Sequence, residues 1–163
     1  MDLKSYIKDV PDHPKNGILY RDIQPLLADP QAFEDAIHQM VDLIDMPLDK
    51  IDYFVGVESR GFIFATALGW ITNSGFKLVR KAGKLPPENL ETITYDTEYS
   101  TDTIQMERGW GNVVIVDDVL ATGGTITAAS ELATNAGYQV VDQLCLLDIG
   151  ILKNHDIKCL ISY

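Results

Sequence analysis

The architecture of this protein is set by one run of residues, Val113-Val114-Ile115-Val116-Asp117-Asp118-Val119-Leu120-Ala121-Thr122-Gly123-Gly124-Thr125. Its apolar first half predicts a buried strand that ends at the two carboxylates, and the alanine-rich residues 126–136 predict a helix. Between them lies a turn with two glycines and two threonines. Such a turn directs backbone N–H groups at an anion, and the dipole of the helix adds to the attraction.

The side chains of this run suit a phosphorylated sugar. The two threonines can donate hydrogen bonds to phosphate oxygens, and the two glycines let the backbone come close. Asp117 and Asp118 would repel phosphate, so they must face a sugar diol or a metal. The turn is not a nucleotide P-loop, since no Gly-Lys-Ser/Thr follows the glycines. An ordinary strand–helix turn is the alternative, but two adjacent carboxylates beside a buried strand are costly without a partner.

Length and charge limit the class of protein. The 163 residues fit a single domain over 1–163, and an apolar fraction of 46% favours a compact fold. A net charge of −11 disfavours binding to nucleic acid or to an anionic membrane. No stretch is long enough to span a membrane, and residues 1–10 carry charges where a signal peptide needs an apolar block. Cys145 and Cys159 lack metal-like spacing, which is typical of free thiols. We therefore expect a cytoplasmic protein.

Strands alternate with helices along most of the chain. Asp29-Pro30 predicts the start of a helix that closes before Pro47, and a second helix is predicted over 62–71. Further strands are predicted over 51–57, 76–79, 140–148 and 158–163. This alternation predicts an α/β fold, with a mainly parallel twisted sheet that is covered by helices on both faces.

The region from Gly83 to Gly109 breaks this alternation. Its polar, β-prone residues predict a hairpin, and an insert of this length in a compact domain is usually functional or mobile. We predict a flexible lid over the carboxyl edge of the sheet, which is where ligands bind in such folds. An edge hairpin without a catalytic part is the alternative.

Several segments together resemble one family, the type I phosphoribosyltransferases. Residues 113–125 are similar to the signature with which that family binds 5-phosphoribosyl 1-pyrophosphate (PRPP). Residues 79–86, Val-Arg-Lys-Ala-Gly-Lys-Leu-Pro, resemble a basic loop of the members that act on adenine. Residues 18–27, 58–64 and 97–102 resemble the base-pocket segment, the Ser-Arg-Gly-Phe block and the mobile catalytic loop. The resemblance covers nearly the whole chain and implies a flexible β-hairpin lid and a small N-terminal hood that binds the base.

The resemblance also implies how PRPP would be bound. Asp117 and Asp118 would hold the ribose hydroxyls. The 5′-phosphate would be wrapped by a turn consisting of Ala121, Thr122, Gly123, Gly124 and Thr125. The pyrophosphate needs positive charge, which would come from four side chains, Arg60, Arg80, Lys81 and Lys84. Mg²⁺ would be held through PRPP oxygens and water, with no direct protein ligand. On spacing alone, a solvated basic loop at 80–84 is the alternative.

The base and the catalytic group follow from the same resemblance. Leu19 and Arg21 would present backbone groups to the edge of adenine, and Tyr20 would stack on the ring, at roughly 1–3 kcal/mol per stacked base. Core packing is the alternative for Tyr20. Glu98, followed by Tyr99 in the loop, would be the acid–base residue, which general acid–base catalysis makes worth roughly 10²–10⁴-fold. The implied catalytic residues are Glu98, Asp118 and Arg60.

The implied reaction converts adenine and PRPP to AMP and pyrophosphate, in a homodimer. One alternative is the same reaction on a 6-oxopurine such as hypoxanthine, guanine or xanthine. The other is a PRPP-sensing regulator without catalysis, for which the chain has no basic DNA-binding segment. Three residues, Pro87, Ser100 and Gln105, depart from the pattern of the family.

Overall fold

The computed structural model describes residues 1–97 and 100–163. They divide into two compact units, Met1–Gln39 and Met40–Tyr163. Within these described residues, no helix has the length and apolar character needed to cross a membrane.

The first unit contains a small antiparallel sheet and short helices. A 3₁₀ helix at Leu3–Tyr6 precedes strand β1 (Lys8–Pro11), which pairs with β2 (Leu19–Asp22), and helix α1 (Gln24–Ala28) follows. Its buried apolar side chains include Leu3, Ile7, Ile23 and Leu26. The sequence patterns did not predict these elements, because each is only four or five residues long and the strands are largely polar.

Helix α2 (Pro30–Asp42) begins where Asp29-Pro30 predicts a start. The Oδ1 atom of Asp29 accepts hydrogen bonds from the backbone N–H groups of Gln31 and Ala32, at 3.0 and 2.9 Å. These bonds satisfy two of the N–H groups that the first turn of a helix leaves without a partner in the helix. The predicted helix start is therefore confirmed, together with its cause.

The second unit is built on a seven-stranded sheet. Its strands are β3 (Tyr53–Val57), β4 (Gly75–Lys81), β5 (Leu90–Asp96), β6 (Thr101–Glu107), β7 (Asn112–Leu120), β8 (Gln139–Asp148) and β9 (Lys158–Ser162). They lie in the order β5-β6-β4-β3-β7-β8-β9. The five strands from β4 to β9 in this order pair in parallel, and β5 and β6 are antiparallel. The predicted mainly parallel sheet is confirmed.

Helices α3 (Gly61–Ile71) and α4 (Gly124–Asn135) cover opposite faces of this sheet. α3 connects β3 to β4, and α4 connects β7 to β8. β3 and β7 are neighbours in the sheet, and the two connections lead from them toward opposite edges of the sheet. Because such crossovers are right-handed, the helices lie on opposite faces. Side chains agree, since Val55 packs in one cluster with Leu132 of α4, whereas a Cβ at Gly56 would meet Ala65 of α3. Ligands bind at such a reversal of strand order.

Strands β5 and β6 form the hairpin that the sequence predicts between Gly83 and Gly109. The hairpin lies at one edge of the sheet, where β6 pairs with β4 through Arg80↔Gln105 and Lys81↔Ile104. It also contacts α4. The edge-hairpin alternative therefore describes its position in the fold, and a lid function stays a prediction.

The predicted boundary of the central strand was wrong. Asp117 and Asp118 lie inside β7, which continues to Leu120 because its parallel partner β8 continues with it, in the register Leu120↔Asp148. The following helix starts at Gly124, two positions before the predicted start. Only the neighbouring strand fixes where β7 ends, so the apolar run alone could not give that residue.

Candidate active site

The turn between β7 and α4 leaves its backbone open to a ligand. Gly123 has a φ of +84°, a left-handed conformation that glycine adopts at little cost. Gly123 is also the N-cap residue of α4, and it makes no side-chain hydrogen bond to the first N–H groups of the helix. This turn, residues 121–125, is called the phosphate turn below, because a helix N-terminus of this kind attracts anions.

A cavity of about 450 Å³ lies beside the phosphate turn. Its lining comes from three places: the turn (Ala121, Thr122, Gly124, Thr125), the end of the β5–β6 hairpin (Tyr95, Asp96, Thr97) and Ile151. This volume is in the usual range for small-molecule sites. The predicted catalytic residue Glu98 and its neighbour Tyr99 follow Thr97 in sequence and lie outside the described residues.

Asp117 and Asp118 lie in β7 beside Arg60. The side chain of Asp118 is 8% exposed, and its Oδ2 atom is 2.7 Å from Nε of Arg60. Burial and the neighbouring Asp118 carboxylate raise the pKa of Asp117 well above its ordinary value. Burial also raises the pKa of Asp118, and the charge of Arg60 opposes that rise. Arg60 thus compensates part of the cost of holding two adjacent acids in the strand.

Close packing between α3 and β7 places Arg60 against this acidic pair. Gly61 follows Arg60 and begins α3. A Cβ atom at Gly61 would lie 2.7 Å from the carbonyl oxygen of Val116 and 3.2 Å from Cα of Asp117. Any side chain at this position would therefore push the start of α3 away from the strand that carries the carboxylates.

Residues 81–84, called the basic turn below, start at Lys81, which is the last residue of β4. Two backbone N–H groups of the basic turn donate to β6: that of Ala82 to the carbonyl of Thr103 at 2.9 Å, and that of Gly83 to Oε1 of Gln105 at 3.0 Å. The backbone of this predicted basic loop is therefore fixed on one side by the hairpin.

Glu58 binds the basic turn from the other side. Its Oε2 atom accepts a hydrogen bond from the backbone N–H of Lys81 at 2.7 Å and lies 3.5 Å from Nε of Arg80. Its Oε1 atom accepts a hydrogen bond from Nζ of Lys84. Burial pushes the pKa of Glu58 upward, but the hydrogen bonds from Lys84 and Lys81 together hold it below its ordinary value. One carboxylate thus faces two of the four cations that the sequence predicts for pyrophosphate, Arg80 and Lys84, and binds the backbone of a third, Lys81.

The three predicted segments do meet at one edge. Residues 58–61 follow β3, the basic turn starts at the last residue of β4, the phosphate turn follows β7, and β3 lies between the other two strands. The role of Glu58 was missed, although a signal existed. β3 and β4 are parallel in the register Val57↔Val79, so the residues after them lie side by side.

A segment after β8 supports the phosphate turn, and the sequence patterns gave no sign of it. The backbone N–H of Leu152 donates to the carbonyl of Ala121 at 3.2 Å. A Cβ at Gly123 would lie 2.7 Å from Cδ2 of Leu152, and the neighbouring Ile151 lines the cavity. The segment has no regular secondary structure, so it carries no periodicity that would have revealed it.

The predicted base segment belongs to the first unit. Leu19, Tyr20 and Arg21 lie in β2, with Leu19 46% exposed. Arg21 forms an ion pair with Asp9, its partner across the β1–β2 sheet. The ring of Tyr20 packs edge-on against His13, with 5.0 Å between the ring centroids. Their contact with a base stays a prediction.

Comparison with known proteins defines the class. Residues 24–163 match the family model of the phosphoribosyl transferase domain, and the chain belongs to this family. Among curated relatives, it is similar to the adenine phosphoribosyltransferase of Bdellovibrio bacteriovorus. The two are 49% identical over 153 residues, which cover 94% of this chain and 91% of the relative.

Solved structures agree with this grouping. Adenine phosphoribosyltransferase from Thermoanaerobacter pseudethanolicus aligns with a TM-score of 0.90 and 36% identity, over 99% of this chain and 98% of that one. The enzyme from Saccharomyces cerevisiae, complexed with D-2,5-dideoxy-2,5-imino-altritol 1,6-bisphosphate and adenine, aligns with a TM-score of 0.82 and 34% identity, over 97% and 94%. The family and the fold that the sequence motifs imply are confirmed.

Proposed function

We propose that this chain is an adenine phosphoribosyltransferase, which converts adenine and PRPP to AMP and pyrophosphate. The observation that carries the proposal is the meeting of three segments at the reversal of strand order. They bring an acidic pair, a phosphate turn and a basic turn to one edge of the sheet. These are the groups that the ribose, the 5′-phosphate and the pyrophosphate of PRPP require.

The phosphate turn would bind the 5′-phosphate. The backbone N–H groups at the start of α4 would donate to the phosphate oxygens, and the dipole of the helix would favour the negative charge. The hydroxyl groups of Thr122 and Thr125, which line the cavity, would add further hydrogen bonds. The remaining turn residues are Ala121, Gly123 and Gly124. Their backbone would face the phosphate, and the two glycines would let it come close.

Asp117 and Asp118 would hold the two ribose hydroxyls as hydrogen-bond acceptors. Arg60 keeps positive charge beside them, 2.7 Å from Asp118. As the bond from C1′ to the pyrophosphate oxygen breaks, its electrons leave with pyrophosphate and positive charge develops on the ribose. Two carboxylates beside the ribose would stabilise that charge in a site of low polarity.

Arg60, Arg80, Lys81 and Lys84 would bind the pyrophosphate, together with Mg²⁺. The donor set fits that ion, because Mg²⁺ prefers oxygen ligands and PRPP supplies hydroxyl and phosphate oxygens beside Asp117 and Asp118. Within 1–97 and 100–163, no cluster of three or more His, Cys, Asp or Glu side chains could hold a metal. Ligand oxygens and water would complete its coordination. Bound Mg²⁺ would supply positive charge to the leaving group.

The base would be adenine, held by Leu19, Tyr20 and Arg21. Support comes from the yeast relative, which was crystallised with adenine. As N9 of the base bonds to C1′, the ring loses a proton, and Glu98 would accept it. Thr97, which precedes Glu98, lines the same cavity as the phosphate turn.

We also propose a cytoplasmic homodimer. Both cysteines, Cys145 and Cys159, are free, as a reducing compartment favours. Ile63 and Trp70 of α3 lie seven residues apart, so they share one face of the helix. They are 38% and 83% exposed, and Phe76 of β4 is 36% exposed. Exposed apolar side chains of this kind mark interaction surfaces when they are contiguous.

The test is a comparison of bases. The protein is incubated with PRPP and Mg²⁺ and with adenine, hypoxanthine, guanine or xanthine in turn, and nucleotide products are separated by chromatography. We expect AMP from adenine, with each 6-oxopurine at least about 100-fold slower in kcat/KM, since their carbonyl replaces a hydrogen-bond donor. EDTA should stop the reaction and added Mg²⁺ should restore it. Faster turnover of a 6-oxopurine, or no nucleotide with any base, would contradict the proposal.

A further inference from the structure

Glu58 faces the pyrophosphate side of the site, yet it carries negative charge where an anion is to bind. An acid in this position needs a reason. Its side chain is 10% exposed, so the carboxylate is not a solvated surface group. Both of its oxygens are used: Oε2 by the backbone N–H of Lys81 and Oε1 by Nζ of Lys84. The carboxylate therefore spans the basic turn from its first residue to its last.

The backbone directs Glu58 to this place. Glu58 is the residue after β3, and its own N–H donates to the carbonyl of Val79 in β4 at 3.0 Å. Val57 pairs with Val79, so Glu58 lies level with Arg80, the residue before the basic turn. The side chain does not have to reach across the site, because the parallel register of β3 and β4 sets it beside the turn.

The cations that Glu58 gathers keep capacity for a ligand. The side chain of Lys84 is 49% exposed, and its ammonium has three donors, of which Glu58 takes one. The guanidinium of Arg80 faces Glu58 through Nε at 3.5 Å and lies over the ring of Phe62, with 5.9 Å from Cζ to the ring centroid. A guanidinium carries four terminal N–H donors besides the Nε that faces Glu58. Without the carboxylate, the like charges of Arg80 and Lys84 would repel each other.

We propose that Glu58 is a positioning residue that holds the basic turn in the conformation that binds the pyrophosphate of PRPP. The inference rests on the proposed function, because it takes PRPP as the ligand of this edge. Glu58 acts through Lys81 and Lys84 and touches no reacting atom. Gln105 anchors the same turn from β6 as a neutral acceptor, so the negative charge of Glu58 has a separate task, which is to gather the cations.

The test is Glu58→Gln, which keeps the size of the side chain and an oxygen for the N–H of Lys81. It removes the charge that holds Lys84. We expect KM for PRPP to rise about tenfold, as for the loss of a charge-assisted hydrogen bond. KM for adenine should stay within about twofold of wild type, since the base contacts are untouched. Calorimetric titration with Mg²⁺-pyrophosphate alone should show the same loss of affinity.

The matched control is Glu107→Gln. Glu107 also pairs with a lysine, Lys77 at 2.8 Å, and joins β6 to β4, but Lys77 lies within β4 and not in the basic turn. All kinetic constants of this variant should equal those of wild type. Combining Glu58→Gln with Lys84→Gln should raise KM for PRPP little further than Lys84→Gln alone, because the two residues act together.

Three outcomes would overturn the inference. Tighter binding of PRPP by Glu58→Gln would mean that Glu58 competes with the ligand. An equal change in both KM values, with a lowered melting temperature, would mean a general structural role. Additive effects with Lys84→Gln would separate the two residues. If Glu58→Gln fails to fold, Glu58→Asp serves instead, because its shorter side chain keeps the charge but cannot span both donors. Failure of wild type to make AMP refutes the proposed function instead.

Discussion

Substitution of Gly61 by alanine should damage stability and activity together. The new Cβ would lie 2.7 Å from the carbonyl oxygen of Val116, and ordinary contact begins at 3.4 Å. The start of α3 must therefore move away from β7 by about 0.7 Å, because the obstacle is backbone in the middle of the sheet. Overpacking of this kind costs about 1–3 kcal/mol, and the better helix propensity of alanine offsets up to about 1 kcal/mol.

The effect on activity follows from the same movement. Arg60 precedes Gly61, and its Nε atom lies 2.7 Å from Oδ2 of Asp118. A displacement of this size would break that ion pair. Misplacement of a catalytic group by about 1 Å can cost on the order of 10²-fold in rate. We expect kcat/KM for AMP formation to fall by about 10- to 100-fold, and the free energy of unfolding to fall by about 1–2 kcal/mol.

Urea denaturation followed by far-UV circular dichroism measures the stability. Tryptophan fluorescence is a poor probe, since Trp70 and Trp110 are already 83% and 78% exposed in the folded protein. Gly69→Ala is the matched control, because it makes the same change in the same helix. There the nearest atom to the new Cβ is the carbonyl oxygen of Gly75 at 3.1 Å. Equal stability and equal kcat/KM in the two variants would refute the packing argument.

Two further predictions concern charge and assembly. Asp117→Asn should stabilise the protein at neutral pH while impairing PRPP binding. Burial and the charge of Asp118 raise the pKa of Asp117 above 3.8, so the folded state binds a proton at Asp117 more tightly than the unfolded chain does. The stability of the wild type therefore falls as pH rises from the pKa of Asp117 in the unfolded chain to its pKa in the folded protein. A folded-state pKa that is higher by one than the unfolded value corresponds to about 1.4 kcal/mol. Urea titrations across pH should show the advantage of the variant vanishing in acid, and an advantage that is constant with pH would contradict this cause. Trp70→Ser should move the dimer that we propose toward monomer in light scattering at equal concentrations, whereas an unchanged mass would place any interface elsewhere.

Most of the elements that the sequence predicts are those in which burial leaves a pattern, whereas the β5–β6 hairpin was predicted from polar, β-prone residues. β3, α3, β7, α4 and β8 carry apolar runs or faces, because each is covered by the opposite layer, and α2 carries the capping residue Asp29 as well. The first unit leaves no such pattern. The residues of β1 are mostly exposed, and those of β2 are exposed or half-buried, so neither strand alternates clearly between apolar and polar positions.

The candidate site was predictable in its charged residues and not in their partners. The glycines of the phosphate turn and the cations of residues 80–84 stand out in the chain, because few residue types can serve an anion. The partner of a charge depends on the register between strands. Glu58 pairs with Lys84, 26 residues away, only because Val57 lies beside Val79. Leu152 supports Ala121 through the same kind of long-range contact.

These partners change how ligand binding must be understood. Each predicted pyrophosphate cation already faces a carboxylate: Arg60 faces Asp118, Arg80 and Lys84 face Glu58, and Lys81 faces Asp102 at 3.7 Å. A chain of net charge −11 keeps a cationic edge in this way, since isolated positive groups so close together would repel one another. In the function that we propose, PRPP would therefore join ion pairs that already exist. Its affinity depends on whether each carboxylate stays in place beside its cation, as we propose for Glu58, or turns to another ligand group, as we propose for Asp118 and the ribose.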